Sequence, residues 1–361
     1  MLIRSLQNVP VSISTIGLGC FLVVLVAAAV ARGETDLPIP TTTTFLDGIV
    51  AGSDGNLWFT ERDTDQIGRM TPAGTVVHFS VPTARSFVKG IAAGPDGNVW
   101  FMERDANQIG RITPAGSVTE FAVPTAHGFL NAITAGPDGN MWFTERDANQ
   151  IGRITPVGSV SEFAVPTVRS MLNGIAAGPD GSVWFAELLG NRIGRIASTG
   201  TIDEFPVSSP ESAPTSITAG PDGNMWFTEY LGPSIGRITP AGSVSEFPVP
   251  TADCVPNAIA RGLDGNLWFT EFNANKVGRI TLTGIITEFR VPTSRSGPNG
   301  IARGTDGNVW FTENGSSQIG RITPDGTITE FCARPDAPRD NPGGTGKHRP
   351  CSRMQAPLAE R

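Results

Sequence analysis

Two series of side chains in this sequence could do chemistry. The first is seven carboxylates, Glu61, Glu103, Glu145, Glu187, Glu229, Glu271 and Glu313, with seven arginines running from Arg69 to Arg321 in the same register. Carboxylates of this kind can act as general acids, general bases or metal ligands. The second is a set of polar residues that are not all alike: Asp47, Lys89, Asn131, Asn173, Thr215, Asn257 and Asn299. Amides in a ring suit hydrogen bonding to a neutral ligand and lack a base that titrates near pH 7. Nucleophile templates are missing. His78, His127 and His348 accompany no Ser or Cys motif, and there is no Gly-x-Ser-x-Gly or phosphate-binding Gly loop. The Asp-Gly-Asn stretches read as hairpin turns and lack the spacing of calcium loops.

What positions these residues is a repeat. The chain of 361 residues has 7 Trp, at Trp58, Trp100, Trp142, Trp184, Trp226, Trp268 and Trp310, spaced 42 residues apart every time. With 43 Gly and 29 Pro, long helices are excluded, and a period near 40 in strand-rich sequence indicates a β-propeller. The expected fold is all-β, a seven-bladed propeller over residues 36–332 with four strands per unit. In the second unit the strands are expected at 90–93, 99–103, 108–112 and 118–123, separated by tight turns such as Pro95-Asp96-Gly97-Asn98. Gly68 and its equivalents are expected to let the indole lie across the strand. Ring closure has two candidates for the outermost strand of the last blade, residues 36–40 and residues 327–332. The N-terminal segment is favoured, because pairing the chain ends locks a ring.

Seven-fold recurrence separates scaffold from site. The recurring Glu and Arg series are expected to form a structural belt of ion pairs and turn hydrogen bonds, because a ligand rarely has seven-fold symmetry. Function is sought where equivalent positions differ. The residue after each Glu reads Arg62, Arg104, Arg146, Leu188, Tyr230, Phe272 and Asn314, an arc that turns from cationic to apolar and is extended by Leu189 and Leu231. Leu188, Tyr230 and Phe272, with Asn257 and Asn299, are the expected ligand-binding residues, placed over units four to six.

Residues 1–31 read as an export signal: Arg4, an apolar stretch from Ile16 and the small residues Ala29 and Ala31 at its end. Export implies an oxidising compartment, no membrane span after cleavage, and a Cys332–Cys351 bridge that leaves Cys254 over. Residues 333–361, rich in Pro, Gly and Arg, read as a disordered tail. A formal net charge of −7 argues against nucleic acid as a partner, and the chain is expected to be a monomer.

The units Asp-Gly-Asn-x-Trp-Phe-Thr-Glu, Asn-x-Ile-Gly-Arg-Ile-Thr and Glu-Phe-x-Val-Pro-Thr resemble those of the virginiamycin B lyase (streptogramin lyase) family across residues 36–331. The resemblance implies a seven-bladed propeller that opens a cyclic depsipeptide by elimination across its ester bond, with Mg²⁺ as cofactor. It places catalytic histidines at the starts of the sixth and seventh first strands, where this sequence has Asn257 and Asn299. It places one metal-binding Glu where Gly297 stands and another at Glu313. The expectation is therefore an exported propeller that binds a neutral, partly apolar ligand (a peptide, cyclic peptide or glycan) without the His-based chemistry. The alternatives are an active Mg²⁺-dependent streptogramin B lyase and a protein-interaction module of the cell envelope.

Overall fold

The computed structural model describes residues 44–333. Twenty-eight strands form seven antiparallel sheets, each built from four consecutive strands. The blades span residues 46–80, 88–122, 130–164, 172–206, 214–248, 256–290 and 298–332. The first strands of neighbouring blades pack against one another all the way round, the seventh against the first included. The described residues contain no helix. The signal expected at 1–31 and the tail at 333–361 lie outside the described residues, apart from Ala333.

Each second strand is buried along its whole length, because it lies between two neighbouring blades. Trp58 and Ile67 of blade 1 share a core cluster with Val99, Phe101 and Ile112 of blade 2. Every indole N–H is satisfied by the turn before it, as Trp58 Nε1 donates to Asp54 Oδ1 at 3.1 Å. Burial works to raise the Asp54 carboxyl, but hydrogen bonds from Asn56 and Trp58 outweigh it and hold it below the usual range. The outer-strand Phe79 stacks on Trp58 with ring centroids 5.5 Å apart.

The recurring arginines lie over these stacks and, in blades 1 to 4, also pair with the turn aspartates as expected, Arg69 with Asp54 at 4.0 Å and Arg153 with Asp138 at 3.7 Å. Arg69 sits 5.5 Å from the Trp58 ring and 5.4 Å from the Phe79 ring, and its Nη1 donates to the Pro114 carbonyl of the next blade at 2.6 Å. The expectation for Gly68 is corrected. A Cβ there would stand 2.0 Å from Phe59 Cζ, so the glycine makes room for phenylalanine, while the indole edge lies against Gly52.

The glutamate series also differs from expectation. All seven side chains are fully buried. In blades 2 to 7 each has a second glutamate as neighbour from the outer strand, as Glu120 beside Glu103. Burial first, then the charge of that neighbour, pushes Glu103, Glu145, Glu187, Glu229, Glu271 and Glu313 up to about 8. Six blades thus hold acid pairs, and in blade 6 the outer member, Glu288, also pairs with Lys276 at 2.8 Å. Blade 1 alone substitutes histidine, and His78 Nε2 lies 2.7 Å from Glu61 Oε1.

Ring closure reverses the favoured choice. The outer strand of the last blade is Ile328–Cys332, paired with Gln318–Ile322, so the position expected for residues 36–40 is taken. Those residues themselves lie outside the described chain. Closure comes from side chains and core packing. Ser317 Oγ donates to the Thr44 carbonyl at 2.9 Å, Thr312 Oγ1 donates to the Asp47 carbonyl at 2.8 Å, and Trp310 shares a cluster with Leu46, Ile49 and Phe59. Cys332 is disulfide-bonded and Cys254 is free and buried, so the partner of Cys332 lies outside the described residues.

Candidate functional site

Each first strand carries a β-bulge just after its first residue, between Leu46 and Ile49 in blade 1 and at equivalent places in the others. A bulge re-aims one side chain out of the ladder. The residues re-aimed here are the polar set around the mouth of the channel. They hydrogen-bond to one another from blade to blade. Lys89 Nζ donates to Asn131 Oδ1 and Asn131 Nδ2 to Asn173 Oδ1, both at 2.5 Å. Asn257 Nδ2 donates to Asn299 Oδ1 at 2.6 Å, and Asn299 Nδ2 to Asp47 Oδ1 at 3.1 Å. Burial lowers the Lys89 ammonium, Asp47 opposes that, and Arg146, Arg104 and Arg62 reinforce it. Those three cations therefore share one face with the ring.

Above the ring, two series of loop residues are locked together by backbone hydrogen bonds. The N–H of Arg62 donates to the carbonyl of Phe45, and the same pairing joins Arg104 to Phe87, Arg146 to Phe129, Leu188 to Met171, Tyr230 to Ala213, Phe272 to Val255 and Asn314 to Gly297. The two series complement each other. Where arginine follows the second strand, the partner is Phe, and two of the three guanidiniums lie between rings: Arg62 is 4.7 Å from Phe45 and 5.0 Å from Phe87, and Arg104 is 3.5 Å from Phe87 and 4.8 Å from Phe129. Where Tyr230, Phe272 or Asn314 follows the strand, the partner is small: Ala213, Val255 and Gly297 in turn. The rim carries large partners over blades 1 to 4, where Arg104, His127 and Phe129 line a cleft of about 320 Å³, and is open over the small partners of blades 5 to 7.

The opening is a cleft of about 370 Å³ at the junction of blades 6, 7 and 1. Phe45, Phe272, Arg62, Arg295, Asn273 and Asn314 line it, with Gly297 in its wall. Phe272 lies over Gly297, whose Cβ would meet its Cε2 at 3.2 Å. Gly297 holds φ at 59°, a conformation its equivalents Phe87, Met171 and Val255 adopt against steric preference.

Of the residues expected from sequence, Phe272 and Gly297 meet in this cleft, and Asn257 and Asn299 lie in the ring. Tyr230 and Leu188 sit further round the rim, Tyr230 41% exposed and Leu188 half-buried. The cleft is thus centred over blades 6, 7 and 1, beyond the blades expected. The sequence reading missed Phe45 and Arg295. Phe45 belongs to the series that ends in Gly297, and that series is readable in the same 42-residue register.

Glu313 does not face the cleft as a free carboxylate. It is fully buried, its Oε2 accepts from Ser316 at 3.0 Å, and it is held mostly protonated at neutral pH. Magnesium requires hard anionic oxygens. With Gly297 supplying none, Glu313 is the one carboxylate left of the implied pair, and the donors do not fit Mg²⁺. Among the described residues no group of three or more His, Cys, Asp or Glu side chains is placed to hold a metal ion.

A Phe272→Ala variant is expected to keep its fold, since the ring is 37% exposed, and to lose about tenfold or more in ligand affinity. Tyr230→Ala has the same expectation. Calorimetric titration with a streptogramin B checks both. Unchanged affinity in the two variants moves the site elsewhere.

Comparison with known proteins gives a consistent result. The model of the virginiamycin B lyase family matches residues 25–212 and 190–341. A solved streptogramin B lyase is 36% identical over 81% of this chain and 95% of its own, with a TM-score of 0.75. Selenomethionine-substituted virginiamycin B lyase from Staphylococcus aureus is 38% identical over 79% of this chain and 97% of its own, also with a TM-score of 0.75. A catalytically inactive His-to-Ala variant of the S. aureus enzyme, solved with quinupristin, has the same identity, coverage and TM-score. No curated protein sequence matches. With its seven blades and a family match over most of its length, this chain belongs to the virginiamycin B lyase family.

Proposed function

We propose that this member of the family is exported and binds a neutral, partly apolar ligand of peptide type at the mouth over blades 5, 6, 7 and 1, without the family's His-based elimination. One observation carries the reading. At the two positions where the resemblance puts histidines, Asn257 and Asn299 hydrogen-bond to each other and to Asp47. An amide takes no proton near neutral pH, so these groups cannot act as the base. The ligand class is supported by the exposed rings of Phe45, Tyr230 and Phe272, by the amides of Asn273 and Asn314, and by the quinupristin found with the S. aureus variant. Export is supported by the pattern of residues 1–31 and by the disulfide at Cys332.

In this reading Phe272 and Phe45 cover the apolar part of the ligand and exclude water. Asn273 and Asn314 orient it by hydrogen bonds. Arg62, already stacked between two phenylalanines and 3.3 Å from Asp63, supplies a wall rather than a mobile charge.

The test is a lyase assay on the purified protein with Mg²⁺ and a streptogramin B. Elimination adds no water, so substrate and product have equal mass and must be separated by chromatography. Binding without ring opening is expected, because two lost acid–base groups each typically supply about 10²- to 10⁴-fold. Turnover on the order of 1 s⁻¹ would overturn the reading and make the chain a lyase using other residues.

A further inference from the structure

The hydrogen-bond chain around the channel mouth has a direction, and it is broken at blade 5. Lys89 offers only donors and the Asp47 carboxylate only acceptors. These two ends dictate the orientation of every amide between them. From Lys89, Asn131 must accept through Oδ1, and it donates through Nδ2 to Asn173 Oδ1. From Asp47, Asn299 must donate through Nδ2, so its Oδ1 accepts from Asn257 Nδ2. At blade 5 the equivalent residue is Thr215. Its hydroxyl turns away and donates to the Ala213 carbonyl at 3.0 Å. Asn173 Nδ2 and Asn257 Oδ1 are left facing the break with no hydrogen-bond partner among the described residues.

We infer that this break is a subsite for the carboxamide group of a ligand. An Asn at position 215 would fill it with its own side-chain amide, accepting from Asn173 and donating to Asn257. Threonine leaves both groups open, in the order a visiting carboxamide satisfies. The carbonyl oxygen accepts from Asn173 Nδ2, and the amide N–H donates to Asn257 Oδ1. An ester or a carboxylate brings no donor for Asn257 and is discriminated against. The break also coincides with the point where the rim opens, from Met171 to Ala213. The Ala213 carbonyl that holds the Thr215 hydroxyl also accepts the Tyr230 N–H, so the exposed Tyr230 loop rises from the same spot. The subsite rests on the ligand-binding reading above and adds to it a specific functional group.

Three probes that share a phenyl group test this: 3-phenylpropanamide, its N,N-dimethylamide and 3-phenylpropanoate. The readout is the side-chain amide signals of ¹⁵N-asparagine-labelled protein, with Asn173→Asp and Asn257→Asp spectra giving the assignments. The primary amide is expected to shift both signals saturably, and the dimethylamide and carboxylate to bind at least about tenfold more weakly. Thr215→Asn completes the chain and is expected to abolish the response while raising Tm by about 2–4 °C. Equal responses to amide and dimethylamide, or a full response in a T215N protein that melts higher, overturn the subsite. They leave the mouth reading intact if Phe272→Ala still weakens a streptogramin. No response to any probe means that water fills the break and also overturns the subsite. If T215N fails to fold, the comparison of probes on the wild-type protein decides.

Discussion

Raising the pH from about 5 to about 9 lowers the melting temperature of this propeller. Six buried glutamates, from Glu103 to Glu313, titrate at about 8 in the folded chain against an ordinary value of 4.5. Below the ordinary value both folded and unfolded chains hold the protons, and the stabilisation is complete. Between the two values the folded chain keeps protons that the unfolded chain has released. Stability then falls with rising pH by up to about 1.4 kcal/mol per pH unit for each such group. Above about 8 the contribution is gone. The turn carboxylates Asp54, Asp96, Asp138, Asp222 and Asp306 are held low, so their opposite effect is exhausted in acid, before this window opens. Scanning calorimetry across the range checks the sign. A Tm that is flat or rises between pH 6 and pH 8.5 would show that the acid pairs do not hold protons in the folded chain.

Gly152→Ala is expected to cost about 3 kcal/mol, at the upper end for overpacking, with a drop of several degrees in Tm. The added Cβ would stand 2.0 Å from Phe143 Cζ and 2.2 Å from Cε2. Phe143 is fully buried in the cluster that also holds Trp100, Ile133 and Met141, so its ring has nowhere to go. Gly139→Ala is the control. Its φ is +78° and nothing lies within 4 Å of the new Cβ, so only the backbone preference is lost, at about 1 kcal/mol. Thermal melts of the two proteins side by side give the answer, and equal losses would mean that the Phe143 ring yields.

Much of the fold was legible because Trp58 and its equivalents mark the register. In the second unit the strands expected at 99–103 and 108–112 are those observed, Val99–Glu103 and Gln108–Ile112. The first strand, Val88–Ala93, starts two residues early because the bulge breaks the apolar alternation that would have announced it. The closing strand was not legible, since residues 36–40 and Ile328–Cys332 are both of the outer-strand type, and only the pairing of Ile328–Cys332 with Gln318–Ile322 separates them. Reading Gly68 as a seat for the indole failed for a related reason. Trp58 pairs with Arg69 and Phe59 with Gly68, a register that sequence spacing leaves open by one residue.

At the site, Phe272 was legible as a departure from Arg at an otherwise repeated position. Its seat on Gly297 was not, because the series from Phe45 to Gly297 lies in loops and shows its meaning only when the backbone pairs each member with the end of the next strand. The direction of the amide chain was equally hidden. Composition shows amides at 131, 173, 257 and 299, whereas the polarity comes from the two residues, Lys89 and Asp47, that are not amides.

Because every blade takes its four strands from a single 42-residue stretch, none borrows a strand from the far end of the chain. In genetic terms each unit is a cassette. Recombination that inserts or deletes one whole unit in frame leaves every ladder of backbone hydrogen bonds intact and alters only the circumference of the ring. The junction where the last unit meets the first would be remade from whatever side chains the new neighbours bring. The near-identity of units two and three, Glu-Arg-Asp-Ala-Asn-Gln-Ile-Gly-Arg-Ile-Thr-Pro in both, is the mark such duplication leaves. The loops over units four to seven are where the copies differ, the residue after the repeated Glu changing from Arg to Leu188, Tyr230, Phe272 and Asn314.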